Sequence, residues 1–220
     1  YGAPMRENAG FMVLSGNLFD SALMKTSVIS QDFRERFLSE PGNEGVYEAR
    51  AVVFEGPEDY HARINDPALE IDEKSILFIR GVGCVGSPGS AEVVNMQPPD
   101  AVIRQGINHL PTVGDGRQSG TSESPSILNA SPESVVGGGL AHLQTGDMVK
   151  LDLNARLLNA VVDDAEWQAR IDAWTPPELR NQTPWQEIYR KNVGQLADGG
   201  CLELATAYQN VGQDLPRDNH

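Results

Sequence analysis

With 220 residues the chain is long enough for one sizeable core, and length alone favours one domain over two. A formal net charge of −14 argues against nucleic acid and anionic membranes as partners, because both demand a basic footprint. The longest apolar run, Ser75-Ile76-Leu77-Phe78-Ile79, is strand-sized and too short to cross a bilayer as a helix. The first residue is Tyr1 and no initiator Met precedes it, which reads as a cut chain from a soluble, cytoplasmic protein.

In chain order, Val46 to Phe54 mixes β-branched and aromatic residues in near alternation and stops at Glu55-Gly56-Pro57, a strand followed by a turn. Pro57 to Ile64 then starts a short helix, with proline and acids in its first turn as the helix dipole prefers. Lys74 to Arg80 is a second strand, buried on both faces to judge by its unbroken apolar run, and it feeds the glycine-rich loop Gly81 to Gly89. Ala91 to Met96 is expected to be a short helical segment, Pro99 to Gln105 another helix, and His109 to Val113 a short strand.

Asp147 to Leu153 and Arg156 to Val162 read as strands joined by a tight turn at Asn154-Ala155, and Asp163 to Trp174 as a helix capped by an acid. Strands and helices alternate without a regular βαβ period, so residues 1–174 are expected to form a mixed α/β barrel or sheet with peripheral helices. From Thr175 the composition shifts to Pro, Trp, Tyr and polar residues, and Trp185 to Val193 reads as a terminal helix. Residues 175–220 are therefore expected to be an arm that packs on the barrel or on a neighbouring subunit. No internal repeat is visible.

Two stretches place reactive groups in glycine-bracketed turns: Gly114-Asp115-Gly116-Arg117-Gln118-Ser119-Gly120-Thr121-Ser122, and Pro88-Gly89-Ser90-Ala91-Glu92-Val93-Val94-Asn95-Met96-Gln97-Pro98-Pro99. Glycine beside a hydroxyl allows sharp backbone bends and close approach of a ligand. Either one taken alone is an ordinary tight turn. Asp115 and Arg117 are read as an ion pair that shapes theirs. Cys84 and Cys201 form no C-x-x-C pair and read as two small buried residues, while His61, His109 and His142 read as packing or surface residues.

Together these stretches resemble the C-terminal domain of the dihydroxyacid dehydratase and phosphogluconate dehydratase family, and within it the sugar-acid branch of L-arabinonate and D-xylonate dehydratases. The resemblance extends from Ser15-Gly16-Asn17-Leu18-Phe19-Asp20 through Phe54-Glu55-Gly56-Pro57 and Thr183-Pro184-Trp185-Gln186-Glu187 to the closing Pro216-Arg217-Asp218-Asn219-His220. It implies a swivelling β/β/α barrel with flanking helices and a C-terminal helical arm. It also implies an N-terminal domain, absent here, whose cysteines hold a [2Fe–2S] cluster, and a homo-oligomeric assembly.

The implied reaction dehydrates a pentonate to a 2-keto-3-deoxy acid. Removing the C2 proton and expelling the C3 hydroxyl near neutral pH needs a Lewis acid at the leaving oxygen and a cation at the carboxylate, supplied in this family by the cluster and Mg²⁺. By resemblance Glu92 supplies one carboxylate to the magnesium, Ser119 is the base and Thr121 a donor or proton relay beside it. Gln118 stands where the branched-chain enzymes place an aromatic residue, and an amide suits a hydroxylated tail. His220 is implied to fold back to the substrate. The alternatives are a dihydroxyacid dehydratase of branched-chain amino-acid synthesis, or a non-catalytic barrel that binds a sugar acid.

Overall fold

The computed structural model describes residues 10–89, 96–117 and 123–208. The described residues form a closed barrel of eight strands: β1 (Phe11–Gly16), β2 (Phe19–Lys25), β3 (Val46–Phe54), β4 (Ser75–Ile79), β5 (Thr112–Gly114), β6 (Ser126–Ser131), β7 (Met148–Asp152) and β8 (Leu157–Ala160). Around the barrel they run in the order β1-β2-β6-β5-β4-β3-β7-β8. β3, β4, β5 and β6 are mutually parallel, whereas β1–β2, β2–β6, β3–β7 and β7–β8 are antiparallel pairs and a parallel bridge from Ser15 to Leu157 closes the ring.

The expected mixed barrel with peripheral helices is thus the observed one, and β3 occupies the residues assigned to it from sequence. The unbroken apolar run of β4 has a simple cause. Ile76 and Phe78 join Ala49, Ala51, Val53, Val113 and Ile127 inside the barrel, while Leu77 and Ile79 join Val52 and Phe54 in a second core outside it. There they meet Tyr60 and Ile64 in and just after α2 (Pro57–Arg63), together with Leu110. A strand covered on both sides has no solvent face and therefore no alternation.

The hairpin β1–β2 has no counterpart among the strands read from sequence. Its turn brings Gly16 against Leu158, where a Cβ would collide with the Leu158 carbonyl, so the barrel closes only with glycine at this position. Asn17 completes the seam, donating from Nδ2 to the Ala160 carbonyl at 2.8 Å while its Oδ1 accepts from the Ala160 N–H at 2.8 Å.

One end of the barrel is plugged by α1 (Gln31–Phe37), whose Phe33 and Phe37 stack edge-on or tilted against each other and against Tyr47. At the other end, where the parallel strands finish, Arg80 gathers the carbonyls of Leu140, Ala141 and Leu143 and makes a two-pronged pair with Glu55. The short helix α3 (Asp100–Ile103) precedes β5. α4 (Asp164–Ala173) begins at the Asp163 cap anticipated from sequence and is anchored by a pair between Arg170 and Asp147 at 2.7 Å. α5 (Pro184–Asn192) carries Thr183 as its cap, with the Gln186 N–H donating to Thr183 Oγ1. Among the described residues no helix is long and apolar enough to cross a membrane.

Phe78 lies in the barrel interior at 1 % exposure, so Phe78→Ala should lower the unfolding free energy by about 3–5 kcal/mol in urea denaturation. A loss below about 1 kcal/mol would show that the barrel interior is not the packed core described.

Candidate functional site

Three loops leave the barrel at the carboxyl ends of adjacent parallel strands: residues 80–89 after β4, the segment starting at Asp115 after β5, and 132–136 after β6. Carboxyl ends of parallel strands are the common place for a ligand site, because loops from several strands converge there. Here the convergence is enforced by two carboxylates.

Asp115 is fully buried, immediately past the end of β5. Its Oδ2 accepts from the Gly81 N–H at 3.0 Å, the Ser134 N–H at 2.9 Å and the Ser134 hydroxyl at 2.6 Å, and its Oδ1 accepts from the Val82 N–H at 3.0 Å. An unsolvated carboxylate is tolerated only with such a set of donors. The result is a junction of the three loops on one side chain. The expected ion pair between Asp115 and Arg117 is not what forms: Asp115 faces N–H groups inside, while Arg117 points away and places Nη2 3.4 Å from the Tyr189 hydroxyl and 4.0 Å from Cys84 Sγ.

Glu133, at 2 % exposure, has the same role in the loop after β6. It accepts from the N–H groups of Val85 and Gly86 at 3.0 and 2.8 Å and from Gln195 Nε2 at 3.1 Å. Its own N–H donates to Gln195 Oε1 at 2.8 Å. A Cβ on Gly83 would collide with the Glu133 carboxylate, so this loop requires glycine to lie so close. Burial pushes the Glu133 carboxyl above its ordinary range and the charge of Asp115 adds to the rise, against the opposing N–H groups of Val85 and Gly86 and the Gln195 amide.

The segment after α4 grips the same loops from outside. Arg190 donates from Nε to the Val85 carbonyl at 2.7 Å and from Nη2 to the Gly86 carbonyl at 3.2 Å. The Ala197 N–H donates to Ser131 Oγ at 3.1 Å. Cys84 is buried in this contact, but Cys201 is exposed, contrary to its expected burial, because it sits in a largely exposed stretch, 197–205. His142 is a packing residue, buried with its ring edge-on to Trp167 and Trp174.

The residues singled out from sequence, Glu92, Gln118, Ser119, Thr121 and His220, lie outside the described residues, as does most of the expected helical segment Ala91 to Met96. Gly89 precedes the stretch that holds Glu92, and Arg117 the stretch that holds Ser119; each belongs to one of the loops tied together by Asp115 and Glu133. Sequence reasoning passed over Glu133, Gln195 and Arg190. The contacts by which they tie these loops span 47 to 105 positions, and no local pattern marks them. Among the described residues no three His, Cys, Asp or Glu side chains are grouped as metal ligands, and both buried carboxylates are occupied by N–H donors. They do not fit an iron–sulfur cluster.

The chain matches the family model of the dihydroxy-acid/6-phosphogluconate dehydratase C-terminal domain over residues 1–201, and it belongs to that family. It is 61% identical over 220 residues to a D-xylonate dehydratase of Caulobacter vibrioides, covering all of this chain and 37% of that protein. It is 34% identical over 217 residues to an L-arabinonate dehydratase of Rhizobium leguminosarum, covering 98% of this chain and 35% of the relative. A dihydroxy-acid dehydratase of Methanothrix thermoacetophila is 29% identical over 201 residues, or 90% of this chain and 34% of its own. The chain therefore spans little more than a third of the length of these relatives.

The raised Glu133 carboxyl has a signed consequence. The native state keeps a proton that the unfolded chain has already released, so the Glu133 contribution to stability falls as pH rises from about 4.5 toward the raised native value. Urea unfolding of wild type and Glu133→Gln across about pH 4 to 7 should show this falling component in wild type and its absence in the variant. Parallel pH profiles would contradict the burial of an ionisable group at this position.

Proposed function

We propose that this chain is the C-terminal portion of a longer hydro-lyase that dehydrates a pentonate, such as D-xylonate or L-arabinonate, to its 2-keto-3-deoxy acid. The observation that carries the reading is the junction at the carboxyl ends of β4, β5 and β6, because the loops it joins are those in which the family motifs place Glu92 and Ser119. The names of the relatives support a sugar acid over a branched-chain substrate, as does Gln118 in the place of an aromatic residue.

On this reading Ser119 takes the C2 proton of the sugar acid and Thr121 donates a hydrogen bond beside it. Gln118 and His220 bind hydroxyls of the tail. As the C2 proton passes to the ionised Ser119 oxygen, the C–H electron pair becomes the C2=C3 bond and the C3–O bond breaks; the departing hydroxide takes that proton back and leaves as water, and the resulting enol tautomerises to the 2-keto acid. Cys84, wedged against Arg117, and the exposed Cys201 are not a cluster ligand set, so the [2Fe–2S] cluster belongs to the N-terminal domain. Glu92 is a hard oxygen donor suited to Mg²⁺ as one ligand among several. The cation, when bound, supplies positive charge against the developing enediolate, and the cluster supplies a Lewis acid for the leaving hydroxyl. Residues 175–220 act as the arm, in a cytoplasmic homo-oligomer.

The test is turnover by the full-length protein of D-xylonate and L-arabinonate against 2,3-dihydroxy-isovalerate, with the pentonates expected to be preferred. Ser119→Ala should lower kcat by about three orders of magnitude with the cluster intact, the contribution of a positioned base. Glu92→Gln should raise the Mg²⁺ concentration needed for half-maximal activity. Retention of more than about a tenth of wild-type turnover in Ser119→Ala would remove that serine from the role of base.

A further inference from the structure

His142 ends the 3-10 turn Gly139–His142, and the backbone around it is fixed because Arg80 Nη1 takes the carbonyls of Leu140, Ala141 and Leu143. Its imidazole is 7 % exposed, and Nδ1 has no hydrogen-bond partner among the described residues. The ring bonds instead to the Gly137 backbone, so in the neutral form Nδ1 carries only a lone pair. Trp167 and Trp174 stand edge-on to the imidazole at centroid distances of 5.9 and 6.3 Å. Trp174 also closes on Gly137, where a Cβ would lie 3.2 Å from the indole.

These two indoles lie in and just after α4, which itself buries no residue. Its hold on the barrel is therefore the packing around His142, together with Arg170, which pairs with Asp147 and donates from Nη1 to the His142 carbonyl at 3.2 Å. The charged groups around the ring are Arg80, paired with Glu55, and Arg170, paired with Asp147 and Glu166; no carboxylate among the described residues pairs with the imidazole itself. A proton added at Nδ1 would be a buried cationic donor without an acceptor. Burial lowers the imidazole below its ordinary value of 6.5; the Gly137 bond opposes this and the charge of Arg80 adds to it.

We propose that His142 is an acid-sensitive latch for α4: neutral, it fills the slot between the two indoles and holds the helix on the barrel; protonated, it favours release of α4 and Trp174. In the released state the solvated ring takes its proton near 6.5, so docking is undiminished above that pH and weakens as pH falls from there toward the lowered native value. The Glu133 effect runs the other way, weakening the fold as pH rises.

The test is amide exchange of the full-length protein, followed by mass spectrometry on peptides covering 163–176 from about pH 8 to 5 and corrected for the intrinsic rate. Exchange there should quicken below about pH 6.5, by at most about tenfold per pH unit, the limit for uptake of one proton, while peptides from β3 and β4 stay unchanged. His142→Phe, which keeps a ring in the slot and cannot titrate, should remove the pH dependence. Exchange at the imidazole C2 position reads the titration of His142 directly, expected below that of a free imidazole. Protection of 163–176 that is constant across the range overturns the proposal, as does quickening that spreads equally to β3 and β4. The same pH dependence in His142→Phe also overturns it and assigns the effect to Asp147 or Glu166. If His142→Phe does not fold, the wild-type imidazole decides: titration at or above 6.5, as attraction of an imidazolium to the indoles would give, overturns the latch.

Discussion

The carboxylate of Asp115 is the point on which the end of the barrel where the parallel strands finish depends. Four donors from two loops converge on it in a buried site, and withdrawing the carboxylate would remove a partner from every one of them, with only the Gly81 N–H keeping a second acceptor in Ser134 Oγ. Because Asp115 stands directly after β5, the loops after β4 and β6 are located relative to β5 by hydrogen bonds and not merely by their own stems. Glu133 then extends the junction outward to Val85, Gly86 and Gln195. Two acidic groups are kept close together in a buried region, and the raised Glu133 carboxyl is the energetic sign of that burial and crowding.

This arrangement separates scaffold from chemistry. The barrel supplies rigid strand ends, covered on both faces in β3 and β4. The buried carboxylates convert those ends into fixed loop stems, and α5 adds a cationic clamp from outside. The stretches bearing Glu92 and Ser119 continue from these stems. On the proposed function, a site assembled from several chain segments suits a reaction that acts on C2 and C3 of one substrate, since proton removal and hydroxide departure need separately positioned groups.

Much of the barrel is legible in the sequence where local physics decides. β3 and β4 announce themselves by β-branched and apolar runs, β7 and β8 by their turn at Asn154-Ala155, and α4 by the acid at Asp163. β1, β2 and β6 carry no such signal. β6 spends its positions on small and polar residues, Ser126, Asn129, Ala130 and Ser131, and bends at Asn129, where φ is 59°, so its alternation is broken. β1 and β2 are fixed by the distant seam at Gly16 and Leu158. The junction itself is long-range: Asp115 to Ser134 spans 19 positions and Glu133 to Gln195 spans 62, distances at which no sequence window reports a contact. The local pattern suggests an ion pair for Asp115 and Arg117 because opposite charges two residues apart imply one. The fold instead needs the carboxylate inside, where N–H groups are waiting.

A crystal structure of the full-length protein with Mg²⁺ and a slowly turned-over pentonate would examine the role of this junction most directly. A Glu92 carboxylate oxygen is expected about 2.1 Å from the cation and Ser119 Oγ about 3–3.5 Å from C2, with the Asp115 and Glu133 junctions unchanged beneath them. A substrate bound away from the carboxyl ends of β4, β5 and β6, with Glu92 and Ser119 remote from it, would contradict this placement of the site.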